Sequence, residues 1–376
     1  MKQTKKLKDI AIISAGQSAP QGKNNYSSEG IPFVKAGNLV ELIDGAAESS
    51  IQKVSEMVAK EHKLKLYQPG TVLFAKSGMS CMKGYVYQLK SPCYVVSHLA
   101  CITVTEISGE YLKYYFEYHR PNSLVKDEAY PSISLVDIGD MEISYGNRQE
   151  QKEAVIFLNA IQKIIKQRRE EIKKLDDLVK SQFIEMFGDV VYNNKRWVVF
   201  PMSTVAPIKA FKGEVEAVDG KVWLLNLDMI EAHTGDVQEE VLVGIDDIGA
   251  STVAFNRDNI LYSKLRPYLN KVVYPKKTGY ATSELVPLRP DINLLNKVFF
   301  TALLRSDAFV HFIREQVAGA KMPRVSMDIF KKFDVICPPI ELQNQFAHFV
   351  EQTDKSKVLI REHLFLINRF RKVEKT

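Results

Sequence analysis

The chain has 376 residues, of which 45% are hydrophobic, 26% charged and 10% aromatic, and its formal net charge at pH 7 is +6. This length exceeds the usual size of one hydrophobic core, so we expect at least two domains, and the composition excludes an intrinsically disordered chain. The sequence contains no long apolar run typical of a membrane span, and "MKQTKKLKDIAIISAG" does not resemble a secretion leader. These features predict a cytoplasmic protein.

The sequence contains none of the common catalytic or cofactor motifs. We find no phosphate-binding G-x-x-x-x-G-K-[ST], no G-x-G-x-x-G, no H-E-x-x-H and no G-x-S-x-G. A magnesium-dependent nuclease site could be assembled from Asp44 with Glu61, His62 and Lys63, but this loose spacing is more typical of a solvated charged segment. We therefore predict no catalytic centre and no cofactor in this chain.

The cysteines do not predict a metal site or a disulfide. They lack C-x-x-C spacing and neighbouring histidine pairs, which structural zinc sites require. We interpret them as buried thiols. They are Cys81, Cys93, Cys101 and Cys337.

Residues 1–146 are predicted to form a first globular domain of the α+β class. Short β-rich runs such as "TVLFAK" (71–76) and "YVVSHLACITV" (94–104) alternate with turn residues, and "EYLKYYFEYH" (110–119) predicts a helix. Residues 147–188 predict a long helix, with Asn147 as N-cap, Glu150 completing a capping box, and Gly188 after the last turn.

The second half repeats this order. Residues 189–338 predict a second α+β domain, with strands in "NILYSK" (259–264) and "KVVYP" (271–275) and a helical stretch in "NKVFFTALLRSDAFVHFIREQ" (296–316). Residues 339–376 predict a second long helix, because Pro339 is well tolerated at the first helical position.

An internal repeat relates the two halves. "YPSISL" at 130–135 aligns with "MPRVSM" at 322–327, and the same offset of 192 residues pairs Gln151 with Gln343. Upstream, "TVLFAK" resembles "NILYSK" at a slightly different offset, as expected where loops differ in length. We interpret the chain as a tandem duplication of one α+β unit followed by one long helix.

Apolar residues at alternating spacings of three and four form a heptad seam on each long helix. Two related seams in one chain predict that the helices pack as an antiparallel coiled coil. The alternative is that each helix only covers its own domain. The predicted seam residues are Leu158, Ile161, Ile165, Ile172, Leu175, Val179, Val350, Ile360, Leu364 and Ile367, with polar Arg168, Gln182, Thr353 and Lys357 among them.

Basic and polar loops are the candidate binding surface. Residues 257–277 contain six cations against the single acid Asp258, with tyrosines interleaved, a composition suited to contacts with phosphates and bases. An ordinary solvated basic surface is the alternative. The candidate DNA contacts are Lys76, Ser77, Lys83, Tyr130, Ser132, Arg257, Lys264, Arg266, Tyr268, Lys271, Lys321 and Arg324.

The layout resembles the specificity subunit of a Type I restriction-modification system. The resemblance rests on the duplicated arrangement and on "RQEQ" (148–151), "KSQFIEMFG" (180–188), "CPPIELQ" (337–343) and the starts "LKDIA" and "MSTVA". One departure is that Tyr145-Gly146-Asn147 stands where the second copy has Pro338-Pro339, so the first helix start is placed by register alone.

The resemblance implies a non-catalytic subunit in which two target-recognition domains each recognise half of a split DNA site. It also implies that the long helices hold these domains apart and dock two DNA adenine methyltransferase subunits. Those subunits would bring S-adenosylmethionine, and a motor-nuclease subunit using ATP and Mg²⁺ would join for cleavage. The alternative function is a two-domain coiled-coil scaffold that binds protein or carbohydrate.

Overall fold

The computed structural model describes residues 2–318 and 322–373. The chain forms two compact units, Met1–Ile164 and Ile165–Thr376, and the division falls within the first long helix. The predicted domain limits lie close to the ends of the long helices.

The first unit combines short helices with small sheets, as the α+β class requires. Its strands pair in the orders β1-β9, β2-β8-β5-β6 and β4-β3-β7. These elements are β1 Gln3–Lys6, α1 Leu7–Ile10, β2 Ala11–Ala15, β3 Ile31–Val34, α2 Asn38–Ile43, β4 Lys53–Val54, α3 Glu56–Glu61, β5 Val72–Ala75, β6 Val86–Gln88, β7 Tyr94–Val95, β8 Leu99–Val104, α4 Gly109–Tyr118, α5 Leu135–Gly139 and β9 Glu142–Tyr145.

Strand β5 lies at the centre of the first core. It pairs with β6 on one edge and β8 on the other, and its four residues are all buried. Helix α4 covers this sheet through Phe116, whose ring lies edge-on to Phe74 with centroids 5.3 Å apart. A continuous apolar run such as "VLFA" is typical of a strand that is buried on both faces.

The first long helix, α6, spans Arg148–Phe187. Asn147 Oδ1 accepts hydrogen bonds from the backbone N–H groups of Gln149 and Glu150, and the Glu150 carboxylate accepts one from Asn147 N at 2.8 Å. Gly188 follows the last turn with φ +76°, a conformation that favours glycine. The predicted capping box and helix end are confirmed.

The second unit repeats the α+β plan after α6. Its sheets have the strand orders β10-β20, β12-β11-β16-β13, β15-β14-β17 and β18-β19. The elements are β10 Val199–Pro201, α7 Met202–Val205, β11 Lys221–Leu225, β12 Val241–Gly244, β13 Thr252–Phe255, β14 Ile260–Ser263, β15 Val272–Val273, β16 Gly279–Thr282, β17 Leu285–Leu288, α8 Lys297–Arg305, α9 Asp307–Glu315, β18 Val317–Ala318, β19 Arg324–Val325, α10 Met327–Lys332, β20 Asp334–Ile336 and α11 Ile340–Val373.

The helical stretch predicted over 296–316 is two helices. Ser306 has extended backbone angles and its hydroxyl accepts a hydrogen bond from Phe309 N, so it ends α8 and caps α9. Serine is a preferred N-cap because its side chain satisfies a backbone donor that the helix leaves open.

Equivalent hydrogen bonds show the duplication directly. In the first unit β1 pairs with β9, and Leu7 N donates to Met141 O at 2.8 Å. In the second, β10 pairs with β20, and Met202 N donates to Phe333 O at 2.8 Å. The predicted fold, two α+β copies in tandem with two long helices, is confirmed.

Within the second unit the C-terminal part of α6 runs antiparallel to α11. The rings of Phe183 and Phe346 lie 5.5 Å apart, and earlier on α6 Asp176 contacts Lys357, later on α11, at 2.7 Å. The structure places all ten apolar residues predicted for the seams in buried or half-buried positions.

Lys357 is the polar member of the α11 seam with the clearest partner across the helix pair. Burial lowers the pKa of its ammonium group, but hydrogen bonds to Asp176 and Asp354 outweigh burial, so the pKa is raised. The charge is therefore retained inside a mostly apolar interface.

A buried glutamine fixes the start of each long helix. Gln343 is fully buried: its Nε2 donates to Pro338 O at 2.7 Å and Leu294 O at 2.9 Å, and its Oε1 accepts from Asn296 N at 2.8 Å. Asn296 is in turn the N-cap of α8. One side chain thus joins the base of α11 to a helix of the globular part.

Gln151 makes the equivalent contacts in the first unit. Its Nε2 donates to Gly146 O at 2.9 Å, and its Oε1 accepts from Ser108 N at 3.1 Å. Ser108 is the N-cap of α4. The two glutamines that the sequence alignment pairs therefore have the same structural role.

We expect Gln343→Ala to lower the free energy of unfolding by about 2–4 kcal/mol, because it removes the side-chain partner of three buried or partly buried backbone groups. Gln345→Ala, at an exposed position on the same helix, is the matched control and should change stability by less than about 0.5 kcal/mol. Denaturant titration followed by circular dichroism measures both. Equal effects of the two substitutions would contradict the role assigned to Gln343.

Candidate functional site

Each copy contains a loop junction at the end of its central strand. The first loop junction comprises residues 76–78 after β5, His98 before β8, and residues 131–133. The second comprises residues 264–266 after β14, Glu284 before β17, and residues 323–325. These segments contain many of the predicted contact residues and are far apart in the sequence.

The first loop junction is held by backbone hydrogen bonds. Lys76 N donates to His98 O at 2.9 Å, Ile133 N donates to Lys76 O at 2.8 Å, and Gly78 N donates to Pro131 O at 3.0 Å. Side chains in it are therefore carried by a fixed backbone.

The second loop junction has the same three hydrogen bonds. Lys264 N donates to Glu284 O at 3.0 Å, Val325 N donates to Lys264 O at 3.0 Å, and Arg266 N donates to Pro323 O at 2.8 Å. The duplication thus preserves the backbone arrangement of the junction.

The first loop junction presents a serine–histidine pair and a second serine. Ser77 Oγ lies 2.8 Å from His98 Nδ1, and the side chains of His98 and Ser132 are exposed. Tyr130, next to the junction, is 83% exposed. Lys83 is exposed on the following turn, with its Nζ 6.0 Å from the centre of the Tyr85 ring.

The second loop junction presents a charged pair instead. Arg324 donates from Nη2 to Glu284 Oε1 at 2.7 Å and from Nε to both carboxylate oxygens at 3.2–3.3 Å. The hydrogen bond from Arg324 lowers the pKa of Glu284, and Glu284 raises the pKa of Arg324, so the pair stays ionised at neutral pH.

A short turn follows each junction and differs at one informative position. In the first copy Gly78 has φ +74°, and a 3-10 turn Cys81–Lys83 follows. In the second copy the equivalent residue is Arg266, with φ +47°, and a 3-10 turn Pro267–Leu269 follows. The left-handed conformation is unfavourable for a residue with a Cβ atom, so the turn keeps an exposed arginine at a cost in backbone energy.

Part of the predicted basic surface does not join the second loop junction. Arg257 precedes β14 while Lys264 follows it, so the strand separates them. Lys271 is half-buried and its Nζ donates to Leu227 O at 2.6 Å, which is at odds with the predicted phosphate contact. Tyr262 is buried in β14 and does not interleave with exposed cations. Residues 257–277 are strand-turn-strand, not one basic loop.

The other predicted residues differ in placement. Lys76 and Lys264 are half-buried, and Tyr268 is exposed on the turn after Arg266. Lys321 lies outside the described residues.

Among residues 2–318 and 322–373 no group of His, Cys, Asp and Glu side chains is placed to hold a metal ion.

Comparisons with known proteins agree with this duplicated plan. The model of the Type I restriction modification DNA specificity domain matches residues 2–174 and again residues 194–365. The chain belongs to this family. Within residues 2–318 and 322–373, no helix is long and apolar enough to cross a membrane.

Curated relatives match part of the chain. The specificity subunit of the Type I restriction enzyme MjaIX from Methanocaldococcus jannaschii is 30% identical over 147 residues, which are 38% of this chain and 33% of that protein. The specificity subunit of the Type I restriction enzyme EcoDI from Escherichia coli is 24% identical over 123 residues, 33% of this chain and 27% of that protein. The matches span a third or less of each relative.

Solved structures share the fold over nearly the whole chain. The crystal structure of a Type I restriction-modification S subunit from M. genitalium matches with a TM-score of 0.54 at 13% identity, covering 99% of this chain and 94% of that one. A chain from a study of type I R-M complex assembly matches with a TM-score of 0.55 at 12% identity, covering 99% and 96%.

His98 and Glu284 are not among the contact residues predicted from the sequence. A signal was present, because "YVVSHLA" (94–100) and "YATSELV" (280–286) share a tyrosine, a serine and a leucine at the same spacing. Each of the two residues stands between that serine and leucine. Neither residue lies in a basic loop, so a concentration of cations does not identify either one.

We expect Arg266→Gly to raise the free energy of unfolding by up to about 1 kcal/mol, because glycine adopts the left-handed conformation without strain. Gly78→Ala is the reciprocal test. Open space surrounds the Cβ position of Gly78, so backbone strain alone should lower the free energy of unfolding, by about 1 kcal/mol. Thermal and denaturant unfolding measure both. A destabilised Arg266→Gly protein would show that the arginine side chain supports the fold.

Proposed function

We propose that this protein is the DNA specificity subunit of a Type I restriction-modification complex, and that each copy recognises one half of a bipartite DNA site. The observation that carries the proposal is that the family match occurs twice and each match contains one loop junction with the same backbone and different exposed side chains. Two half-sites of different sequence require such an arrangement. The subunit has no catalytic role and acts in the cytoplasm.

The second copy supplies cations suited to phosphate contacts within its loop junction. Lys264 and Arg266 follow β14 directly, and Arg266 is exposed. Phosphate contacts fix a protein on DNA, whereas contacts to base edges specify the sequence. Exposed tyrosines add aromatic surface to both copies, Tyr130 in the first and Tyr268 in the second.

The long helices set the gap between half-sites in this proposal. Helix α6 has 40 residues, a length of about 60 Å, which corresponds to roughly 18 base pairs of DNA. The gap would then depend on helix length and not on the junctions.

We expect Lys264→Ala and Arg266→Gly to weaken DNA binding by the complex with its methyltransferase, and each to reduce the slope of log K against log salt by about 1. Lys180→Ala, at an exposed position on α6, is the matched control and should leave the slope unchanged. Fluorescence anisotropy over a salt series measures the slopes. If both junction variants have the same slope as the wild type, Lys264 and Arg266 do not contact DNA phosphates.

The proposed partners are two DNA adenine methyltransferase subunits, which bring S-adenosylmethionine, and motor-nuclease subunits, which use ATP and Mg²⁺. Exposed apolar side chains on the long helices provide a docking surface for the methyltransferase. On α11 Val358, Phe365 and Leu366 lie on one face. Those on α6 are Ile156, Phe157, Ile164, Leu178 and Ile184.

We expect Phe365→Asp to weaken association with the methyltransferase by roughly 10-fold or more, because a phenyl ring buried on binding contributes about 1.5–3 kcal/mol. His363→Asp, which places the same charge at an exposed position nearby, is the matched control and should have little effect. Analytical ultracentrifugation or calorimetry measures the association. Unchanged affinity for Phe365→Asp would remove this face of α11 from the docking surface.

A further inference from the structure

Positions 98 and 284 are equivalent in the two copies. The backbone carbonyl group of each accepts a hydrogen bond from the backbone N–H of the lysine that follows the central strand. This lysine is Lys76 in the first copy and Lys264 in the second. Each residue directly precedes the strand that pairs with that central strand, β8 or β17. The fold therefore brings the two side chains to the same place in each junction.

The side chains around these positions differ between copies. In the first, Ser77 and His98 contact each other and Ser132 is exposed nearby, so the group carries hydroxyl and imidazole donors and acceptors. In the second, Glu284 and Arg324 form the charged pair. A constant backbone with exchanged donors and acceptors is the arrangement expected for recognition of different bases.

The Glu284–Arg324 pair is unsuited to a phosphate contact. The pair has no net charge, and the carboxylate would repel a phosphate brought close to the guanidinium group. Glu284 binds the Nε and Nη2 atoms of Arg324, which fixes the orientation of the guanidinium plane. A phosphate contact needs a cation but does not need this orientation.

The same pair is well suited to a base pair. Arginine donates two hydrogen bonds to O6 and N7 of guanine, and glutamate accepts from N4 of cytosine. Both groups occur side by side in the major groove at a G·C pair. The Glu284 side chain is 21% exposed and the Arg324 side chain 43% exposed, so both can reach a ligand.

We propose that residues 98 and 284 occupy equivalent base-recognition positions, and that Glu284 and Arg324 together recognise a G·C pair in the second half-site. His98, with Ser77, occupies the corresponding place for the first half-site and selects a different base. This inference rests on the proposed function, and it adds His98 and Glu284 to the residues that determine specificity.

The test maps the sites methylated by the complex of the full chain with its methyltransferase on a library of randomised DNA. We expect Arg324→Lys, which keeps the charge but loses the paired donors, to reduce the preference for G·C at one position of the second half-site by roughly 5- to 150-fold. Glu284→Gln should weaken the preference at the same position. The first half-site should not change with either variant, whereas His98→Ala should alter the first half-site alone.

Arg289→Lys is the matched control, because Arg289 also pairs with a carboxylate, that of Asp258 at 3.0 Å, but lies at the other end of β17 from Glu284. Its methylated sites should match those of the wild type. Circular dichroism spectra should be the same for all variants, since the substituted side chains are exposed or partly exposed.

The outcomes separate this inference from the proposed function. A wild-type complex that methylates no bipartite site overturns both. A wild-type complex that recognises a bipartite site, with an unchanged base preference in Arg324→Lys and Glu284→Gln, overturns only the inference. A uniform loss of methylation at all sequences in Arg324→Lys would assign Arg324 to a phosphate, and that result also overturns it.

Discussion

The structure depends on a buried side-chain amide at the start of each long helix. An amide has donors and an acceptor on one rigid plane, so Gln343 can satisfy backbone groups before α11 and at the N-cap of α8 at the same time. Without the glutamine, each of those groups would lose this partner in a buried or partly buried position. The direction in which the helix leaves the globular part is thereby fixed, and Gln151 does the same for α6.

Duplication separates the support of the binding surface from its chemistry. Backbone hydrogen bonds hold both loop junctions, and these bonds do not depend on which side chains are present. Side chains at positions 77, 98 and 132 can therefore differ from those at 265, 284 and 324 without changing the fold. The left-handed residue shows the limit of this freedom, because Arg266 occupies a conformation that Gly78 adopts without strain.

Local signals predicted the helices well and the candidate site less well. Asn147, Glu150 and Gly188 identify the ends of α6 because capping involves neighbouring residues only. The junctions depend on backbone contacts between segments distant in sequence, such as Lys76 with His98 and Lys264 with Glu284. Charge counting also placed Arg257 and Lys271 on one surface, because composition does not show which residues a buried strand separates.

Polar residues in the helix pair determine its register and contribute little to its stability. A buried ion pair contributes little net stability, but a buried charge without a partner is costly. Lys357 meets Asp176 at 2.7 Å in the observed register. A shift by one heptad would place it opposite Arg169, a like charge, or opposite Phe183, an apolar ring that offers no carboxylate. Asp354, on the same helix, would still pair with Lys357 after either shift, but the carboxylate across the helix pair would be lost. The apolar seam alone would tolerate either shift, so the Lys357–Asp176 contact favours the observed alignment of α6 and α11.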